Sequence, residues 1–357
     1  MNSISIMRFC YLIEVCAYHL VMTIVNNRQI LTISPSTNEF FKGLLIFQTY
    51  YKPAFMLSFI SGYLFFLNVN NKNYKEKIKE KIIKRLHSVL VPLLLWNSIL
   101  FVVLNVIKLS IVRNTNILII EQPSGVSLSN FLESFVNPPF GLWFFQNLVI
   151  FFLLSPLIYI IFRDKRTTYI FLVCFIFISI FDFFPSFVYK KFIFSFLLGA
   201  YISIKGIDFK DIELKYYYVI LLLLFIMSLL FCKHYYENYV YRQIIVLLED
   251  IVLLTTNIVV FIILKPLLFK ISNINKIALL MNKFSKASFY IFIFHISLLS
   301  VIVKVIFPKI IKLYPPNILF DIILFSFTLL LVFLVCFLLN KVSMKFKNIH
   351  ALLTGSR

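Results

Sequence analysis

ISIMRFCYLIEVCAYHLVMTIV, residues 4–25, places an arginine and a histidine inside an apolar run long enough to cross a hydrocarbon core about 30 Å thick. As a helix it sets Arg8 and His19 close to three full turns apart, so both project from one face, about 16 Å apart along the axis. An ionisable side chain at that depth costs roughly 2.5 kcal/mol or more, so a face carrying two of them reads as functional. Tyr11 and Tyr18 lie on or near the same stripe. Glu14 is turned about 140° away from His19 by helical geometry and is expected to meet another helix.

The rest of the chain agrees with a membrane reading. It is 61% hydrophobic and only 14% charged, whereas soluble domains carry about 25% charged residues. Mean hydropathy is +0.93, and 43 residues are phenylalanine. These values exclude a soluble globular protein and point to an all-α, polytopic membrane domain over residues 1–345, followed by a cytoplasmic tail at 346–357. About ten spans are expected, near residues 4–25, 44–67, 88–107, 142–162, 168–184, 190–204, 216–231, 245–264, 286–306 and 318–339. The first is too long for a signal-peptide core and no small-residue cleavage site follows it, so it is expected to stay as a helix.

The formal charge of +20 does not mark a nucleic-acid binder, because the basic residues concentrate on alternate connections. Residues 72–85 alone hold seven Lys and Arg. That asymmetry is the positive-inside pattern of a multi-pass protein of the cell membrane, and it places both termini in the cytoplasm. Residues 68–87 read as a lysine-rich amphipathic helix with Ile78, Ile82, Ile83 and Leu86 at helical spacing, lying at the interface against anionic lipid. Residues 108–141, with two turn-forming Pro and Gly clusters, form the longest outer connection and are a candidate lid. The five cysteines read as small packing residues rather than disulfide partners. No internal repeat of the inverted-repeat transporter kind is visible.

His19 has the chemistry of a general base, and His295, in the ninth span, is the second intramembrane histidine and a candidate to line the same cavity. Two histidines without a third ligand at suitable spacing do not make a metal site. Two readings fit Arg8: snorkelling to lipid phosphate, or holding the phosphate of an anionic ligand. Ser61-Gly62-Tyr63 reads as close helix packing or a kink. Trp143 has the default reading of an interfacial belt residue.

In order along the chain, these segments resemble the membrane-bound acyltransferase 3 family. Arg8 with His19 is similar to its first-helix motif, and residues 59–66 (FISGYLFF) to its second-helix signature. Lys84-Arg85 with Pro92 and Trp96 is similar to the entry to its third helix. Residues 141–145 (GLWFF) with Ser155-Pro156-Leu157, and residues 288–292 (SFYIF) with His295, resemble later helices; Gly199-Ala200-Tyr201 is a weaker match. The chain departs from the family's usual pattern at Ser5, Phe9 and Gln146-Asn147.

The resemblance implies a fold of about ten helices and an acyl-coenzyme A donor, commonly acetyl-CoA, on the cytoplasmic side. It also implies a hydroxyl acceptor on a polysaccharide or lipid-linked glycan. Arg8, Lys84 and Arg85 would hold the anionic coenzyme. His19 would deprotonate the acceptor or carry the acyl group transiently. Tyr63, Trp143, His295 and Glu14 would contact the acceptor. A transporter or flippase for an envelope glycan precursor fits the spans and charge equally well but not the motif order; a third reading, a structural subunit of a glycan-export complex, predicts tolerance of Arg8 and His19 substitutions. The acyl group, the acceptor position and the oligomeric state are left open.

Overall fold

The computed structural model describes residues 3–27, 35–110, 127–138, 141–180, 190–208, 239–272, 274, 279, 281, 283–311 and 317–355. Every regular element among them is helical. In chain order they are α1 (Ser3–Asn26), α2 (Pro35–Tyr50), α3 (Pro53–Phe66), α4 (Tyr74–Arg85), α5 (Val91–Ser110), α6 (Leu128–Val136), α7 (Leu142–Leu153) and α8 (Ser155–Arg163). There follow α9 (Lys165–Ile180), α10 (Lys190–Ile204), α11 (Tyr239–Ser272), α12 (Ser288–Val301), α13 (Phe307–Ile311), α14 (Ile318–Ser343) and α15 (Lys347–Thr354).

Among the described residues four helices are long and apolar enough to cross a bilayer: Ile4–Asn26, Tyr74–Val103, Ser288–Ile310 and Ile318–Ser343. The pair Leu142–Leu153 and Ser155–Arg163, bent by 58°, makes a fifth. Pro53–Phe66, Phe192–Ile204 and Ile251–Leu267 are apolar but shorter. The span expected near 216–231 lies outside the described residues, as does Cys232. The span expected over 44–67 is two helices, because Pro53 forces Lys52 into extended backbone (φ −123°, ψ 104°) and so ends the preceding helix.

α14 shows why these helices belong in lipid. Asp321, Leu324, Thr328, Val332, Cys336 and Asn340, at steps of three or four residues, are buried. Ile323, Phe327 and Leu330 on the opposite side are more than half exposed. The polar and small residues face protein and the large apolar ones face outward, the reverse of a helix in water.

The prolines are handled locally. Pro156 has no N–H for the carbonyl of Phe152, and the Ser155 hydroxyl donates to that oxygen instead, at 2.6 Å, so the 58° bend leaves no orphaned acceptor. Pro92 and Pro308 each follow directly on a π-helical turn, at Leu86–Leu90 and Ile302–Ile306. The wider turn lets Val91 N–H reach Leu86 O and Phe307 N–H reach Ile302 O, so the chain stays helical into each proline.

The chain divides into two compact units. The first comprises Met1–Tyr11, Thr49–Lys84 and Asn147–Ala278. Its centre is the crossing of α3 and α10, where Ser58 donates to Phe192 O at 3.1 Å. A Cβ on Gly62 would lie 2.2 Å from Phe196 O, and one on Gly199 only 2.0 Å from Phe59 O. The reading of Ser61-Gly62-Tyr63 as close packing therefore holds at Gly62, while Ser61 bonds back to Leu57 O at 2.7 Å. α4, the expected lysine-rich helix, begins at Tyr74 rather than at residue 68; of its apolar positions Ile78 is buried and Ile83 exposed. Lys81 reaches back to the carbonyls of Phe65 and Leu67 at 2.7 and 2.6 Å, capping the end of α3.

The second unit comprises Leu12–Gln48, Arg85–Gln146 and Leu279–Arg357. α2 is tied to α14 by Thr37, whose hydroxyl donates to the buried Asp321 carboxylate at 2.7 Å. Thr37→Val is expected to remove that donor from a buried acceptor and to destabilise the fold by about 1–3 kcal/mol, read as a lower melting midpoint in detergent. Residues 347–354, within the segment expected as a cytoplasmic tail, form α15. Trp96 Nε1 donates to Leu353 O at 3.0 Å, and Ser343 Oγ and His350 Nδ1 are 2.9 Å apart. Gly355, at φ +69°, lies so close to Ser88 that a Cβ would meet its backbone at 2.4 Å. Ser88 is the residue whose carbonyl Pro92 leaves without a helical N–H.

Candidate functional site

His19 lies on α1, in the part of that helix belonging to the second unit, and is half-buried. Its ring centroid is 5.1 Å from that of His295 on α12, with the planes tilted by 56°. Tyr18 presents its ring at 74° to the His19 imidazole, 5.0 Å away. The His19 carbonyl accepts the Thr23 hydroxyl at 2.6 Å. The structure thus brings together the two intramembrane histidines that the sequence offered as lining one cavity.

The tautomer of His295 follows from its neighbours. Its Nδ1 lies 3.0 Å from Ile291 O and 2.9 Å from Phe292 O. Backbone carbonyls only accept, so Nδ1 carries the hydrogen and, in the neutral ring, Nε2 holds a bare lone pair. His295 is 1% exposed and its Nε2 has no hydrogen-bond partner in the fold. Buried polar atoms are seldom left so, because desolvating an acceptor without replacing its hydrogen bond is costly. The site therefore holds an open acceptor beside His19.

Aromatic packing fixes α12 in place. Phe144 and Phe145 of α7 each stand 4.9 Å from the Phe292 ring, and Phe145 is 5.2 Å from Phe289. Gly141, just before α7, sits where a Cβ would come within 3.0 Å of the Phe292 backbone oxygen and ring. Residues 141–145 and 288–295, separate in sequence, thus make one interface within the second unit. Trp96 adds edge-on contacts to Phe294 at 5.1 Å and Tyr290 at 6.2 Å. Gln146 donates to the carbonyls of Phe135 and Val136 at 2.9 and 3.0 Å, closing the end of α6.

The other singled-out residues are spread along the chain. Glu14 is half-buried on α1 and Trp143 is half-buried, edge-on to Phe144. Arg85 belongs to the second unit and is partly buried. Arg8, exposed on the first turns of α1, belongs to the first unit, as do Lys84, exposed on α4, and Tyr63, buried on α3. Residues 111–126 of the expected lid lie outside the described residues; α6 follows them, its first turn capped by Ser127 Oγ accepting from Asn130 N–H at 3.1 Å. Among the described residues no three His, Cys, Asp or Glu side chains are grouped to hold a metal ion. Thr37 and Asp321 were not singled out from the sequence; an aspartate three positions into an otherwise apolar helix was the signal for them.

A family model described as an acyltransferase domain matches residues 1–341 of the chain. No curated protein and no solved structure matches it.

Proposed function

The chain belongs to the acyltransferase 3 family and is a membrane acyltransferase; from that premise we propose that it moves an acetyl group from acetyl-coenzyme A to a hydroxyl of an envelope or exported polysaccharide, or of its lipid-linked precursor, in the cell membrane. The observation that carries this reading is the His19–His295 pair, with its bare, buried Nε2. A sugar presents vicinal hydroxyls. One donates to His295 Nε2, the donor that the fold itself does not supply, while its neighbour is oriented towards His19.

His19 then takes the proton of the attacking hydroxyl as its oxygen adds to the thioester carbonyl. A C–O bond forms, the C–S bond breaks, and the proton passes from His19 to the departing thiolate, so charge and protons balance. Arg8, Lys84 and Arg85 attract the anionic coenzyme, guanidinium being well suited to phosphate. Trp143 offers a ring face to the sugar, with Glu14 as a further polar contact for the acceptor.

The test is release of free coenzyme A thiol by purified protein supplied with acetyl-coenzyme A and a glycan-lipid acceptor. Wild type is expected to release thiol only when acceptor is present. Arg8→Ala is expected to raise KM for the donor about tenfold or more. Absence of thiol release with any acyl-coenzyme A, alongside movement of labelled glycan lipid across vesicles, would replace this reading with a flippase.

A further inference from the structure

Three apolar helices of the first unit, α3, α8 and α10, end around one cavity of about 470 Å³, within the range of small-molecule sites. Residues 67–71 follow α3, Arg163 closes α8, and residues 203, 204 and 206–208 run off the end of α10. The level at which apolar helices give way to polar connections is the headgroup level of a bilayer. One side of the lining is apolar, with Leu67, Val69, Ile204 and Ile207. Leu157 and Ile160, six and three residues before Arg163 on α8, continue that character as an exposed stripe leading away from the arginine.

The other side is polar and held in shape. Asn70 Oδ1 accepts the N–H groups of Lys72 and Asn73, both at 3.1 Å, which fixes the turn after α3. The Tyr159 hydroxyl donates to Asn71 Oδ1 at 3.0 Å, so Asn71 offers its Nδ2 as a donor. The Tyr159 ring stacks on Tyr74 at 4.9 Å and 12°, giving a fixed aromatic wall. Ser61, Ser98 and Ser326 each donate to the carbonyl four residues back. Ser203 does not: its Oγ is buried, lines the cavity and has no hydrogen-bond partner in the fold. The charged residues of the lining are one cation, Arg163, and one carboxylate, Asp208. Lys205 is engaged elsewhere, its Nζ 3.5 Å from the Arg163 carbonyl and 5.6 Å from the centre of the Tyr201 ring.

We propose that this cavity is a specific site for a membrane phospholipid whose headgroup carries a primary amine, an ethanolamine glycerophospholipid. The phosphodiester accepts from the Arg163 guanidinium, the Ser203 hydroxyl and the Asn71 amide. The ammonium donates to Asp208, a carboxylate having room for several such bonds, and faces the Tyr159 wall. The glycerol and acyl chains follow the apolar side and the Leu157–Ile160 stripe. A lining of one cation and one carboxylate matches a zwitterion. An anionic headgroup would set its charge near Asp208 with no cation of its own to offset it, and a choline headgroup has no N–H to give. A soluble zwitterion would leave the apolar side unused. The proposal stands or falls without the acyl-transfer reading.

The test is native mass spectrometry of the delipidated full-length protein in neutral detergent, titrated separately with dioleoyl phosphatidylethanolamine, phosphatidylcholine and phosphatidylglycerol. Wild type is expected to hold one ethanolamine lipid about tenfold more tightly than either of the others. Arg163→Ala is expected to weaken that binding about tenfold, with Arg163→Lys recovering part of the loss. Ser203→Ala should weaken it a few-fold. Asp208→Asn should remove the preference for ethanolamine over choline while keeping the dependence on Arg163. Arg163 and Asp208 are exposed, so their variants should elute as wild type does. Soluble O-phosphoethanolamine should displace the lipid only at far higher concentration.

Equal retention of the ethanolamine lipid by wild type and Arg163→Ala would overturn the site, leaving only lipid held non-specifically around the helices. Arg163-dependent binding that is tightest for phosphatidylglycerol would overturn the zwitterion assignment. So would an ethanolamine preference that survives Asp208→Asn. Displacement by O-phosphoethanolamine at concentrations comparable to the lipid would make the ligand a soluble phosphate ester and overturn the lipid reading.

Discussion

His19→Ala is expected to lower the rate of acyl transfer by a factor of about 100 to 10,000, the range over which a positioned proton acceptor contributes, with the protein still folded. The imidazole packs against the rings of Tyr18 and His295, and alanine is a good helix former. The readout is kcat for thiol release, with elution and melting midpoint as controls for folding. A second substitution separates chemistry from scaffolding. His295→Phe keeps a ring in the aromatic cluster with Phe292 but removes the Nε2 acceptor, so KM for the glycan should rise more than kcat falls. If the two histidines act on one acceptor, the double variant loses less than the product of the single losses. Full activity in His19→Ala would remove this residue from the mechanism.

Gly199→Leu is expected to abolish folded protein altogether. Its Cβ would sit 2.0 Å from Phe59 O and 2.9 Å from Tyr63 N, and both are backbone atoms of α3 that no rotamer change can move aside. Ordinary contact needs about 3.5 Å or more, so the helices must part by over an ångström, which also stretches the Ser58–Phe192 hydrogen bond. Interiors are packed too tightly to absorb that shift, and the cost falls in the exceptional class above about 4 kcal/mol. Even Gly199→Ala meets the same carbonyl, so it should fold poorly. Gly43→Ala is the control: nothing lies within 4 Å of a Cβ there, and the exchange is expected to be neutral or slightly stabilising in a helix. Yield of monodisperse protein distinguishes them. Normal yield from Gly199→Leu would mean that the α3–α10 crossing is not as close as described.

Much of the fold was legible because its signals are local. A helix over residues 4–25 follows from an apolar run without Gly or Pro, and α1 covers Ser3–Asn26. The Ser61-Gly62-Tyr63 triplet was legible as close packing or a kink, and the structure makes it close packing at Gly62. The break at Pro53 was readable too, since a residue before proline resists helix, yet hydropathy averaged across it and suggested one span. Within residues 346–357, expected as a cytoplasmic tail, α15 packs on Trp96, whose Nε1 donates to Leu353 O. Trp96 is remote along the chain, and no local period reports it.

The sequence by itself determined that the chain lives in a membrane, that Arg8 and His19 share one helix face, and that its motifs fall in acyltransferase order. The first two follow from composition and the 3.6-residue period, which act over a few turns; the third rests on the resemblance of short motifs to those of the family. Only the tertiary structure decided that His295 stands beside His19 with its Nε2 bare, and that Asn71, Tyr159, Arg163 and Ser203 line one cavity. Helices far apart in sequence meet through side-chain packing, and that packing is set by the whole bundle rather than by any one segment.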